Sequence, residues 1–232
     1  MCTPTSPPVP APDTTARCVV VVPVKPPALG KSRLVGLSDE QRRELAEAFA
    51  LDTVQAASRT RGVAAVLVVT DDFRLAAAMR DLDTGVGVEV MPDGASEDLN
   101  ATLVQAAAEV VRRWPDAVPV ALCADLPGLR SDELADVLAD SVAEVSAGRA
   151  AFVRDRAGVG TTLYAAPHDR FAPGFGPGSA QRHHGAGAVE VGAAATSVRT
   201  DVDDLADLGA VLVAGVGPHT SRASGRRATP LG

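Results

Sequence analysis

Four apolar runs, each separated from the next by a stretch with helical character, restrict this chain more than any other feature. Residues 17–24, 63–70 and 118–124 are dominated by Val, Ala and Leu at successive positions, while 86–91 carries Val at alternate ones. A strand that is apolar on both faces belongs inside a parallel sheet covered by helices. The intervening segments agree. Ser38-Asp39-Glu40-Gln41 fits a capping box opening a helix to about residue 59. A short helix is expected to run through residue 82. After a polar loop at 93–100 another helix reaches about Trp114, and Ser131 starts a helix to residue 146. This regular alternation predicts βαβ units and an α/β fold with a mostly parallel, Rossmann-like sheet.

The second half breaks the pattern. Residues 150–154 and 161–166 read as two short strands with a Gly-containing connection, a hairpin-like pair. Residues 171–187 form a long Gly-dense loop, 198–202 a short strand and 204–214 a last helix. The ends, 1–16 and 217–232, lack periodicity and read as disordered tails around a single domain at 17–216. Only 3% of residues are aromatic against 46% hydrophobic, so the core must be built of Val, Leu and Ala. The net charge of −7, without a basic face interleaved with aromatics, argues against nucleic-acid binding. An anionic substrate would therefore need cations supplied locally. Cys2, Cys18 and Cys123 have no metal or CxxC spacing. Cys18 and Cys123 read as core thiols, and a cytoplasmic location is expected. No signal-peptide pattern or membrane-spanning apolar run is present.

Asp125 ends the fourth apolar run, just before Pro127 and Gly128 turn the chain. In an open α/β sheet, ligands bind beyond the carboxyl ends of the strands, where Asp125 falls. Taken alone, an Asp there reads first as a turn cap, and only convergence with other residues makes it a site. Lys25, Lys31 and Arg33, with Ser32 between the last two, occupy the loop after the first strand and face the same edge. They suit a polyanion, or are a solvated basic loop. Gly30-Lys31-Ser32 resembles the end of a P-loop, but the glycine that motif needs five residues earlier is Lys25. Asp201 and Asp203 lie two apart, and in an extended segment they point the same way. With Asp125 they would form an all-oxygen site suited to Mg²⁺; otherwise they cap the last helix, as Asp204 is expected to do. Phe175-Gly176-Pro177-Gly178-Ser179 lets backbone approach a ligand, with Ser179 capping a short helix, or is a flexible Gly-Pro loop. His183 and His184 have no zinc spacing and read as surface or anion-contacting residues.

Taken in order, Val24-Lys25, Gly30-Lys31-Ser32-Arg33-Leu34, Ala124-Asp125-Leu126-Pro127, Gly160-Thr161-Thr162-Leu163, Phe175-Gly176-Pro177-Gly178-Ser179 and Thr200-Asp201-Val202-Asp203 resemble the phosphoenolpyruvate / 2-phospholactate guanylyltransferases of coenzyme F-420 biosynthesis. The resemblance spans about residues 18–213; Gly30 stands where that family often has Ala. It implies a nucleotide-sugar-type nucleotidyltransferase fold with a β-hairpin insertion. It implies Asp125, Asp201 and Asp203 as ligands of Mg²⁺, with two ions, and Thr161, Gly176 and Ser179 around phosphoenolpyruvate. Lys25, Lys31, Ser32 and Arg33 would hold the GTP phosphates, Lys31 and Asp125 acting in catalysis. The 94–100 loop resembles the nucleotide-side segment and brings in Asn100. The implied reaction moves GMP from GTP to the acceptor's phosphate. The implied partners are GTP, a small phospho-acid and a downstream enzyme that takes the unstable diphosphate, in a monomer or homodimer. Phosphoenolpyruvate is the favoured acceptor, with 2-phospholactate or 3-phosphoglycerate as alternatives. A non-catalytic nucleotide-binding module is the alternative of another class.

Overall fold

The computed structural model describes residues 18–24, 34, 36–94 and 98–225. A seven-stranded sheet runs through it. Its first four strands are β1 (Cys18–Pro23), β2 (Val63–Val69), β3 (Gly87–Met91) and β4 (Val118–Leu122). The helices between them are α1 (Asp39–Ser58), α2 (Phe73–Arg80) and α3 (Leu99–Arg113). After β4 come α4 (Ser131–Ser146), β5 (Ala151–Arg154), β6 (Thr161–Ala165), α5 (Ser179–Gly185), β7 (Val189–Glu190), α6 (Thr196–Arg199), α7 (Leu205–Ala214) and α8 (Pro218–Ala223). The sheet order is β3-β2-β1-β4-β6-β5-β7. The strands β1 to β4 are mutually parallel, β6 runs against both β4 and β5, and β7 lies parallel to β5.

Both faces of β1 are buried, as its composition demands. Val20 and Val22 pack with Val54 of α1, Leu75 of α2 and Leu134 of α4. Val19 and Val21 pack with Leu103, Ala106 and Val110 of α3 on the opposite face. Cys18, the first residue of β1, is buried, and burial pushes its thiol up to about 12, which makes it an inert core residue. Helix starts follow local chemistry: Ser38 and Gln41 form the capping box of α1, Asp72 caps α2, Asp98 caps α3 and Asp204 caps α7. Each such cap contributes about 1 kcal/mol.

Two expectations fail for non-local reasons. The strand expected at 198–202 is instead α6 followed by extended chain. Four residues cannot hold a helix alone. Here Glu133 of α4 accepts from Ser197 N–H, and the Arg199 guanidinium donates to the carbonyls of Ala193, Arg154 and Asp155. The tail expected from Gly217 onward begins instead with α8, seated on α1. Pro218 suits its first turn. The cap comes from far away in sequence: Asp52 of α1 accepts from His219 N–H at 3.0 Å and Thr220 N–H at 2.7 Å. Gly217 is required for that contact, since a Cβ there would collide with the Asp52 carboxylate. Burial raises the Asp52 pKa, against the lowering effect of the hydrogen bonds from Thr220.

Candidate functional site

The carboxyl end of β4 is where the parallel half of the sheet meets the reversed strand. Cys123 N–H still bonds to Thr162 O at 2.9 Å, so the chain is held to β6 almost to Asp125. The turn is then clamped from α1. The Thr53 hydroxyl donates to Phe49 O of its own helix at 2.8 Å, with Ala124 O farther off at 3.2 Å. It accepts from Leu126 N–H at 3.1 Å and so holds the backbone just past Asp125. A second segment closes on the first: Val202 N–H donates to Asp125 O at 3.0 Å. That one backbone bond, with Asp201 and Asp203 flanking Val202, sets two more carboxylates beside the first. Ligand oxygens of Asp125, Asp201 and Asp203 all lie within 4.8 Å of one another.

Like charges this close repel by about 3–4 kcal/mol per pair at an effective dielectric near 20. The cost appears at Asp201, whose carboxyl is pushed up to about 7, first by burial and then by the charges of Asp125 and Asp203. A cluster of hard oxygen donors whose own repulsion opposes ionisation is matched to a divalent cation of the Mg²⁺ or Mn²⁺ kind. The residues present therefore fit such an ion.

A glycine loop precedes α5. Gly176 has φ 118°, a backbone region that side-chain-bearing residues avoid. Asn100 of α3 holds the next residue back by both ends of its amide: Phe175 N–H donates to Oδ1 at 2.8 Å and Nδ2 donates to Phe175 O at 3.2 Å. Asn100, expected on the nucleotide side, thus spends its amide on this loop. The Arg182 guanidinium braces Gly174 O and Pro177 O. Ser179 is 1% exposed. It does not cap α5 as expected, because the left-handed Gly178 takes that position and Ser179 is the first helical residue. Its hydroxyl makes no hydrogen bond among the described residues.

His183 overturns its expected surface place. It is 2% exposed, stacked on Tyr164 at 4.7 Å between ring centroids and edged by Phe175. Burial, then the nearby Arg182 charge, pushes its pKa down to about 4. Its ring joins Thr161 Oγ1, 2.9 Å from Nδ1, to Gly174 N–H, 2.8 Å from Nε2. Asp155 is a further residue that sequence reasoning missed. Its carboxylate accepts from Val159 N–H and Gly160 N–H, shaping the turn into β6, and its charge adds to the rise at Asp201.

The structure therefore brings Asp125, Asp201 and Asp203 together, with Thr161, Gly176 and Ser179 around α5. Lys25, Lys31, Ser32 and Arg33 lie outside the described residues. Thr53 had one legible signal: with Asp52 it interrupts the otherwise apolar stripe of α1. Asp155 and His183 had none, since their partners are distant in sequence or are backbone groups.

Comparison with known proteins agrees with this architecture. The fold resembles the solved CMP:2-keto-3-deoxy-manno-octonic acid synthetase in complex with CTP, at TM-score 0.53 and 19% identity, over 85% of this chain and 98% of that one. It also resembles Rv0371c from Mycobacterium tuberculosis H37Rv, solved as a complex with manganese, at TM-score 0.50 and 18% identity over 85% and 98% of the two chains. The sheet is mixed and mostly parallel, and the family and curated relatives that the chain matches make the molecule a nucleotidyltransferase. More narrowly, residues 18–223 match the model of the guanylyl transferase CofC-like family, and the chain belongs to that family. A phosphoenolpyruvate guanylyltransferase of Streptomyces scabiei is 46% identical over 218 residues, 91% of this chain and 97% of the relative. Among the described residues no helix is long and apolar enough to cross a membrane.

Proposed function

We propose that this protein transfers GMP from GTP to the phosphate of phosphoenolpyruvate, forming enolpyruvyl-diphospho-guanosine for coenzyme F-420 biosynthesis. The observation that carries the chemistry is the closure of Asp125, Asp201 and Asp203 to within 4.8 Å at the strand-end rim. The acceptor is supported by the Streptomyces scabiei relative, whose name specifies it.

In this reaction an oxygen of the acceptor phosphate forms a bond to the α-phosphorus of GTP. The bond from that phosphorus to the α,β-bridging oxygen breaks, and pyrophosphate leaves with the electron pair. The attacking oxygen is already ionised near neutrality, so no strong general base is needed. The three carboxylates would hold Mg²⁺, with two ions implied by the family resemblance; when bound it supplies charge neutralisation between two polyanions. Thr53 and Val202 keep the carboxylates in place, and Asp155 shapes the turn ahead of Thr161. Thr161, Gly176 and Ser179 are assigned to the acceptor. Lys25, Lys31, Ser32 and Arg33 are assigned to the nucleotide phosphates, Lys31 with a catalytic part, and Asn100, expected on the nucleotide side, supports the acceptor loop through its bonds to Phe175. The product is a reactive diphosphate, which calls for a downstream enzyme to consume it.

The test is incubation with GTP and Mg²⁺ plus phosphoenolpyruvate, 2-phospholactate or 3-phosphoglycerate in turn, with mass detection of the adduct and assay of pyrophosphate. Phosphoenolpyruvate should give the highest kcat/KM. Preference for another phospho-acid would replace the acceptor, and GTP binding without pyrophosphate from any of them would reduce the protein to a nucleotide-binding module.

A further inference from the structure

The two hydrogen bonds on the His183 ring do not have independent directions. Gly174 supplies a backbone N–H, which can only donate, so Nε2 must present a lone pair. The ring is neutral, consistent with its burial among Tyr164, Phe152 and Phe175. Its single proton must then sit on Nδ1, 2.9 Å from Thr161 Oγ1. Nδ1–H donates, and the Thr161 oxygen accepts. The reverse arrangement, with the hydroxyl donating to Nδ1, would place a proton on Nε2 facing the Gly174 N–H, donor against donor. The hydroxyl hydrogen of Thr161 is thereby turned away from the ring, and it meets no acceptor among the described residues.

We infer that His183 is a positioning residue that fixes the Thr161 hydroxyl as a hydrogen-bond donor toward an anionic oxygen of the acceptor substrate. With its other nitrogen the same ring ties down the glycine loop at Gly174. A hydroxyl ordinarily donates or accepts as its partner requires. With one lone pair taken by the imidazole N–H and its own hydrogen turned off the ring, this hydroxyl has its O–H free to donate, which suits the negative oxygen of a carboxylate or phosphate better than a neutral partner. The inference rests on the proposed function, in which Thr161 meets the acceptor, and goes beyond it by assigning the polarity of that contact and the residue that sets it.

Two measurements test it. Long-range ¹H–¹⁵N NMR of the histidine-labelled wild-type enzyme at neutral pH should show His183 with Nδ1 protonated and Nε2 bare. A proton on Nε2 overturns the inference whatever the kinetics. For turnover, Thr161→Val should raise the KM for phosphoenolpyruvate by roughly tenfold or more, with the KM for GTP little changed. His183→Phe keeps an aromatic ring in an aromatic pocket and should raise the same KM. His183→Asn, which can still present an N–H near the Nδ1 position, should recover part of the loss. The double variant Thr161→Val/His183→Phe should fall short of the product of the two single effects. Multiplying effects, or an acceptor KM unmoved by His183→Phe, overturns the inference while leaving Thr161 in the acceptor site. An acceptor KM unmoved by Thr161→Val overturns the inference and removes Thr161 from that site. Failure of the wild-type enzyme to use phosphoenolpyruvate at all instead refutes the proposed function, and is seen before any variant is made.

Discussion

At the acidic rim, backbone hydrogen bonds force together groups that repel: Val202 N–H on Asp125 O and the Thr53 clamp leave three carboxylates within 4.8 Å. At the glycine loop the reverse holds. Side chains of Asn100, Arg182 and His183 satisfy the backbone of residues 174–177, and the one titratable ring at the centre is neutral and stacked. The first region is built at a cost that a divalent cation can offset. The second is already satisfied and needs only a ligand. That contrast separates their roles. In the proposed reaction the rim would manage charge between two polyanions, and the loop would orient the smaller one.

The comparison breaks most sharply at the rim. Asp125→Ala should lower kcat by about 10³-fold, while the metal-free variant melts no earlier than wild type, because a repelling charge has gone. A variant that unfolds early would make Asp125 a structural residue; one that retains turnover would remove it from the cation site. Asp201→Asn, by the same logic, should raise the metal-free melting temperature and weaken Mn²⁺ binding in titration. Next in size is Thr53→Val, nearly isosteric but without the hydroxyl. It strands the buried Leu126 N–H and should cost about 1–3 kcal/mol in urea unfolding. It should also weaken Mn²⁺ binding although Thr53 touches no ion; unchanged Mn²⁺ affinity would show that the clamp serves stability alone.

The two regions also differ in how much the sequence disclosed. The parallel half of the sheet was legible, because β1, β2 and β4 are apolar on both faces and the helix starts carry their own caps. The carboxylate trio was legible as well, since strand ends and an Asp-x-Asp spacing are local signals that the fold superposes. The illegible parts depend on partners supplied by distant chain. Asp52 caps a helix more than 160 residues away, and α6 exists because Arg199 and Glu133 hold it. The composition after residue 217 reads as a tail because the cap of α8 lies in another helix. His183 reads as a surface residue because nothing in its neighbours announces an aromatic pocket made by Phe152, Tyr164 and Phe175.

Removing the distant cap should therefore act far from both regions. Asp52→Ala should cost about 1–2 kcal/mol, seen as faster hydrogen exchange at His219 and Thr220, with kcat nearly unchanged. A large kcat loss would mean that α8 supports the Asp125 loop through the bond from Gly217 N–H to Pro127 O.

The smallest expected effect separates the loop from the rim by pH. In the folded protein His183 is held neutral down to about 4, by burial first and the Arg182 charge second, whereas in the unfolded chain an imidazole titrates near ~6.5. Between these two values the unfolded state binds the extra proton, so stability is complete above about pH 6.5 and is lost progressively as the pH falls toward about 4. Urea midpoints of wild type should drop across that window by more than those of His183→Phe, which keeps His168, His184 and His219 and so isolates the one buried ring. Equal slopes in the two proteins would mean that the ring is already protonated in the fold, and the neutral, stacked loop would cease to contrast with the charged rim.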